Sequence, residues 1–245
     1  MMDSHDCDHC SVRSIALFGE FDPQRVERFA AATYRSQHSP STVLLTEGAR
    51  PGEAFTLRDG IVKLSRSHGP GRTQIIRLLV PGDLLGIEGL FDEPSRYSAI
   101  ALTPVTVCHL PLPLLKQLHD EEPGFTNALL RRWREALHEV ESLAAELGTR
   151  KAEERIAAFL LNWRKKLRSH ARRVAAEDHE WIPLPLSRAE LGELLGLRVE
   201  TISRVLARWK REGIFEERSG RLRIHDTTAL HELIGEAATS PESAG

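Results

Sequence analysis

The stretch from Leu186 to Phe215, LSRAELGELLGLRVETISRVLARWKREGIF, leaves the chain few ways to fold. Ser187 followed three residues later by Glu190 forms a capping box, which predicts a helix starting at Arg188. Leu191, Leu194 and Leu195 fall on one face of it. Gly196 permits a sharp turn. Beyond it Ile202, Val205, Leu206 and Trp209 recur at i, i+3, i+4 and i+7, so a second helix is expected from about Val199 to Glu212, ended by Gly213. If this stripe packs on the first helix, Glu200, Thr201, Ser203, Arg204 and Arg208 point outward, the geometry of a helix that enters a DNA major groove. The residue types suit that task. Arg204 can donate two hydrogen bonds to guanine O6 and N7, Glu200 can accept from cytosine N4, and Ser203 can pack near a thymine methyl. Each good contact is worth about 1 to 3 kcal/mol of discrimination. Arg188, Arg198 and Thr201 stand where phosphate contacts would fix the register.

The residues LSRAELGELLGLRVETISRVL resemble the DNA-binding motif of the CRP/FNR regulators, a family named for the cyclic-AMP receptor protein and the fumarate-nitrate reduction regulator. Glu200, two residues, then Ser203-Arg204 is a spacing similar to the oxygen-responsive FNR branch. The cyclic-AMP branch has glycine where Ser203 stands and arginine where Val199 stands. The resemblance implies a homodimeric activator that binds an inverted repeat with TTGAT-type half-sites on double-stranded DNA and contacts RNA polymerase. One departure is Arg198, which occupies a position where relatives often place a Ser or Thr helix cap.

Charge agrees with DNA contact. The 245 residues carry a net charge of only -2, yet residues 150 to 225 hold 18 Lys and Arg against 11 Asp and Glu. The positive footprint thus coincides with the segment that holds the motif. A hydrophobic content of 41% with 28% charged residues is that of an ordinary globular chain. No apolar run approaches the roughly 18 residues of a membrane span, and no basic-then-apolar signal opens the chain, so a cytoplasmic location without membrane contact is expected.

Cysteine usage is sparse. Cys7 and Cys10 form a C-x-x-C with His9 between them and His5 beside them, and Cys108 lies far downstream. In a cytosolic protein such a pair points to metal binding or redox chemistry rather than a structural disulfide. In the FNR branch an iron-sulfur cluster is held by a C-x2-C-x5-C run and a distant fourth cysteine in a strand just before a Pro. Cys7, Cys10 and Cys108 match three of those positions, and Ala16 occupies the fourth. The resemblance therefore implies a [4Fe-4S] cluster one thiolate short, since such a cluster ordinarily takes four. A zinc site, a regulatory disulfide, or sensing of nitric oxide through haem or of a small organic ligand are the alternatives.

From Phe18 to about His119 short β-rich segments alternate with turn signals. Thr42 to Thr46, Ala54 to Leu57, Ile61 to Ser65, Thr73 to Val80 and Tyr97 to Leu110 are the expected strands of a jelly-roll sandwich. The resemblance implies a cyclic-nucleotide-binding-like β-roll, and PGDLLGIEGLFDEPSRYSA is similar to the phosphate-pocket stretch of cyclic-AMP-binding members. Those members place a glutamate where Ile87 stands and an arginine where Tyr97 stands. Neither side chain supplies the acceptor or the cation, and Arg96 is one residue out of register, facing the opposite side of a strand. Cyclic AMP is therefore not expected to bind.

Leu130, Trp133, Leu137, Val140, Ala144 and Leu147 alternate spacings of three and four along an expected helix from Pro123 to Gly148, the heptad seam of a two-stranded coiled coil. Leu129, Ala136 and Leu143 broaden the stripe for packing on the β-roll. A further helix is expected from Arg150 to Leu167 and a loop over 169 to 180. A wing hairpin should turn at Ser219-Gly220, where Arg218, Arg221 and Arg223 could meet phosphates. The expected fold is α+β. It comprises a Cys-containing segment 1 to 17, a β-roll 18 to 120, a long dimerisation helix 121 to 148, a winged helix-turn-helix 149 to 237 and a disordered tail 238 to 245. A cupin-type enzyme is disfavoured, because the expected strands carry no cluster of His and Glu ligands and no catalytic pairing.

Overall fold

The computed structural model describes residues 10, 12 to 17, 19, 21, 31 to 69, 71 to 173 and 181 to 235. The chain divides into two compact units, one built mainly from residues up to Val140 and the other from Glu141 onward. Cys7 and the expected tail, 238 to 245, lie outside the described residues. No described helix is long and apolar enough to cross a membrane.

Eight strands make the first unit: β1 (Tyr34–His38), β2 (Val43–Leu45), β3 (Glu53–Asp59), β4 (Val62–Ser67), β5 (Thr73–Leu79), β6 (Leu84–Leu85), β7 (Ser98–Ala101) and β8 (Val105–Pro111). They form two four-stranded sheets, ordered β1-β8-β3-β6 and β2-β7-β4-β5, and every pairing is antiparallel. Alternation along the strands sends Phe55, Leu57, Val62, Leu64, Leu79, Val105 and Val107 into one core cluster. Fully burying a side chain of this size contributes about 1.5 to 3 kcal/mol. The other side of β3 and β8 supplies Ala54 and Leu110 to a second cluster with Leu17, Ile87, Leu114, Leu115, Leu118, Phe125 and Leu129.

Three expectations are corrected here. The single strand Tyr97 to Leu110 is two, because Leu102 to Pro104 turn the chain from one sheet to the other. Helix α1 (Leu112–Glu121), which buries Leu114, Leu115 and Leu118, follows the last expected strand, at the end of the expected β-roll, and was not itself expected. Strand β1 was not foreseen, since YRSQH lacks apolar alternation. It is held instead by a polar network: Ser36 Oγ lies 2.6 Å from His109 Nε2 and 2.7 Å from His38 Nε2. His109 Nδ1 is 3.0 Å from Glu53, and the Tyr34 hydroxyl donates to the same carboxylate at 3.1 Å. His109, 8% exposed, is thus partnered rather than isolated. Hydrogen bonding of this kind is what a buried polar side chain requires.

Helix α2 (Pro123–Thr149) follows, buried at Phe125, Ala128 and Leu129. Helix α3 (Ala152–Arg173) buries Ile156, Leu160 and Trp163 and runs past the point where a loop was expected from residue 169. Continuous helix-favouring residues from Lys165 to Arg173, with no Gly or Pro among them, account for the extension. The Trp163 indole N–H donates to the Pro183 carbonyl at 2.7 Å, tying α3 to β9 (Ile182–Pro183). Then come α4 (Arg188–Leu195), α5 (Val199–Arg211), β10 (Phe215–Arg218), β11 (Arg221–Ile224) and α6 (Thr227–Leu233). Strand β11 pairs with both β10 and β9, so the wing is a three-stranded sheet.

Candidate nucleic-acid interface

The N-terminus of α4 is closed by the capping box read from the sequence. The Glu190 backbone N–H donates to Ser187 Oγ at 3.2 Å, and the Ser187 backbone N–H donates to Glu190 Oε2 at 2.8 Å. Replacing Ser187 with alanine should cost about 1 kcal/mol of stability, measurable as a shift in the denaturant midpoint with unchanged slope. Gly196 ends α4 at φ 62°, a left-handed conformation that L side chains rarely adopt. Sequence reading missed Gly192. A Cβ there would lie 2.5 Å from the Leu197 carbonyl oxygen, so the turn can close against α4 only over a glycine.

Helix α5 buries Ile202, Val205, Leu206 and Trp209, as its periodicity predicts. Its start is uncapped: Arg198 has the extended backbone of an N-cap, but its side chain makes no capping hydrogen bond. Glu200, Ser203 and Arg204 are exposed on the opposite face, with Thr201 half-buried beside them. Arg198 is exposed as well. No ion pair holds Arg204 among the described residues.

Two arginines are ion-paired within the fold. Arg188 is half-buried and ion-paired with Glu217 of β10, which fastens the start of α4 to the wing. Arg208, read from sequence as outward-pointing, lies 2.5 Å from Glu153 of α3 and 3.7 Å from Glu212. Glu217 and Glu153 sit 29 and 55 residues from their arginines, so no local pattern could reveal those two pairs. At the wing tip Ser219 and Gly220 both have positive φ, the two-residue hairpin that Ser219-Gly220 predicts. Trp181, Arg218, Ser219 and Arg221 line a shallow notch of about 280 Å³ there.

These features, a capped first helix, a glycine turn, a second helix with an exposed polar face and a wing, coincide with matches to known proteins. Residues 154–233 match the Crp-like helix-turn-helix domain, and residues 35–122 match the cyclic nucleotide-binding domain. The chain is 34% identical over 208 residues to the transcriptional activatory protein AadR of Rhodopseudomonas palustris, covering 83% of this chain and 82% of that protein. The chain belongs to the CRP/FNR family of transcription regulators. It is also 28% identical to an anaerobic regulatory protein of Pasteurella multocida, over 96% of this chain and 84% of that one. Among solved structures, FixK2 from Bradyrhizobium japonicum aligns with a TM-score of 0.71 at 25% identity, covering 85% of this chain and 99% of that one. As a member of the CRP/FNR family, the protein is a DNA-binding transcription regulator.

In this CRP/FNR regulator the structure places the two β-roll positions noted in the sequence, 87 and 97, as follows. Ile87 is 8% exposed and part of the apolar cluster beneath α1 and α2. The Tyr97 hydroxyl donates to Glu88 Oε2 at 3.2 Å. Burial, and behind it the Glu88 carboxylate, hold the Tyr97 phenol well above its ordinary value, so it stays protonated as the donor. Arg96 projects into solvent beside Glu93, 3.6 Å away. The Arg77 guanidinium is engaged by Asp83 at 2.9 Å and by Glu139 of α2 at 2.8 Å.

The cysteines do not assemble a four-thiolate site. Cys10 and Cys108 are half-buried, Cys108 packing against the cluster that Leu17 also enters. Ala16, at the remaining ligand position, is 7% exposed, and its carbonyl accepts from Arg132 of α2 at 3.2 Å. A methyl side chain offers no ligand, and no group of three or more His, Cys, Asp or Glu among the described residues could hold a metal ion. Of the thiolates that a [4Fe-4S] cluster ordinarily takes, the described residues include Cys10 and Cys108, and Cys7 lies outside them.

Proposed function

We infer that this regulator binds an inverted repeat of TTGAT-type half-sites as a homodimer, activates transcription through contact with RNA polymerase, and responds to oxygen or redox state in the cytoplasm. In this reading the β-roll, residues 18 to 120, senses the signal, the helix over 121 to 148 pairs the subunits, and residues 149 to 237 read DNA. The exposed trio Glu200, Ser203 and Arg204 on α5 carries the operator assignment, because its spacing matches the FNR branch and its side chains suit guanine, cytosine and thymine edges. Arg198 and Thr201 supply phosphate contacts, joined by the wing arginines Arg218 and Arg221. Arg188 positions the wing through Glu217 and reaches a phosphate from that anchored place.

Fluorescence anisotropy with a TTGAT inverted repeat and its single-base variants tests the assignment. Arg204→Ala should cost about 1 to 3 kcal/mol and relax discrimination at one base position of each half-site. Equal weakening on all sequences would make Arg204 a phosphate contact and remove the operator assignment.

The anaerobic regulatory name of the Pasteurella multocida relative supports oxygen as the signal. The three cysteines support thiol chemistry at Cys7 and Cys10 over a cluster with four thiolates, and Ile87 and Tyr97 at the nucleotide-binding positions argue against cyclic AMP. Iron and acid-labile sulfide on anaerobically purified protein decide between the two redox signals. None of either leaves thiol chemistry; about four of each per subunit returns a [4Fe-4S] cluster completed by a ligand other than cysteine.

A further inference from the structure

We propose that Phe91, a residue of the β-roll, belongs to the homodimer interface and contacts the second copy of the chain together with the α2 seam. This rests on the homodimer reading above. Seven large hydrophobic side chains are exposed among the described residues, and four of them, Leu130, Trp133, Leu137 and Val140, are heptad positions of α2. A fifth, Phe91, is 58% exposed, and its ring centroid lies 5.7 Å from that of Trp133. The patch therefore crosses from the helix onto the β-roll.

Contact with Trp133 alone leaves more than half of Phe91 in water, which is unfavourable for a ring of this size unless another surface covers it. A second copy fits. The apolar line of α2 repeats at coiled-coil spacing and is complementary to itself across a two-fold axis, so a residue beside the line on one subunit lies beside it on both. The surroundings have the composition of an interface rim. Asp92 and Arg50, adjacent to Phe91, are 86% and 63% exposed and ion-paired at 2.5 Å. Polar residues encircling an apolar centre are the usual anatomy of a protein contact.

The position of Phe91 gives the sensory domain a hold on pairing. It closes a single 3-10 turn, Ile87–Phe91, whose first residue is buried in the core and whose Glu88 is bonded to Tyr97. A rearrangement inside the β-roll that moves this turn moves Phe91 on the dimer face.

Sedimentation equilibrium on the full-length protein tests this with Phe91→Asp, Phe91→Leu and Leu137→Asp, each checked by circular dichroism. The dimer dissociation constant should rise at least tenfold on Phe91→Asp and stay within about threefold on Phe91→Leu, a change that keeps the apolar surface. If Phe91→Asp loses helix signal, Phe91→Gln is read by the same criterion. A dissociation constant unchanged by Phe91→Asp while Leu137→Asp separates the subunits would overturn the role of Phe91 and leave the helix-paired dimer standing. A wild-type monomer, or a Leu137→Asp protein that dimerises like wild type, would remove the homodimer reading and this inference with it.

Discussion

Leu137→Asp should yield a folded monomer that has lost tight binding to an inverted repeat. Leu137 is 58% exposed within its own chain, so the substitution removes almost no intramolecular packing and the unfolding midpoint of the isolated subunit should barely move. In a paired seam the same position is enclosed by apolar side chains from both subunits. Desolvating a carboxylate there costs several kcal/mol, and symmetry imposes the cost twice. At roughly 3 kcal/mol per subunit, the dimer dissociation constant rises about 10⁴-fold. Affinity for two half-sites should then fall by about 10² to 10⁴, because the second reading head is no longer held near its site. Sedimentation equilibrium and anisotropy on one preparation read both effects. A monomer that still bound the full repeat as tightly as wild type would show that pairing along α2 contributes nothing to recognition.

Trp209→Ala should have the opposite signature, intact pairing with a collapsed reading head. Trp209 is 1% exposed and forms the base of α5 with Ile202, Val205 and Leu206. Truncating a buried Trp costs about 3 to 5 kcal/mol, a large part of the roughly 5 to 15 kcal/mol that stabilises a typical domain. The unit that begins at Glu141 has its own buried residues, so calorimetry should show one transition moving to lower temperature while that of the β-roll stays in place. DNA binding should be lost on all sequences alike, in contrast to the base-selective effect of Arg204→Ala. A single unshifted transition would mean that α5 is held by something other than its apolar stripe.

Much of the reading head was legible because its determinants are close together in the chain. The capping box spans Ser187 to Glu190, the turn rests on Gly196, and the buried stripe repeats within α5, so each signal completes itself within one or two helical turns. The uncapped start at Arg198 was readable for the same reason. Most strands of the β-roll followed from short β-branched runs between turns. Strand β1 did not, since Tyr34 and Ser36 satisfy their polar groups on Glu53 and His109, which lie 19 and 73 residues away on other strands. Helix α1 was not among the expected elements; it starts at Leu112 with Pro113 in its first turn, where Pro is tolerated.

The sequence by itself therefore determined the helix-turn-helix, the wing, the heptad line of α2 and the apolar and phenolic side chains at positions 87 and 97. Each depends on residue type and spacing along one element. Only the tertiary structure decided which acids these arginines meet, pairing Arg188 with Glu217 and Arg208 with Glu153. It likewise buried Ala16 beneath Arg132, closed the turn over Gly192 and brought Phe91 beside Trp133. Contacts of this kind join residues distant in the chain, and their strength depends on separation and burial in space, quantities that no local pattern carries.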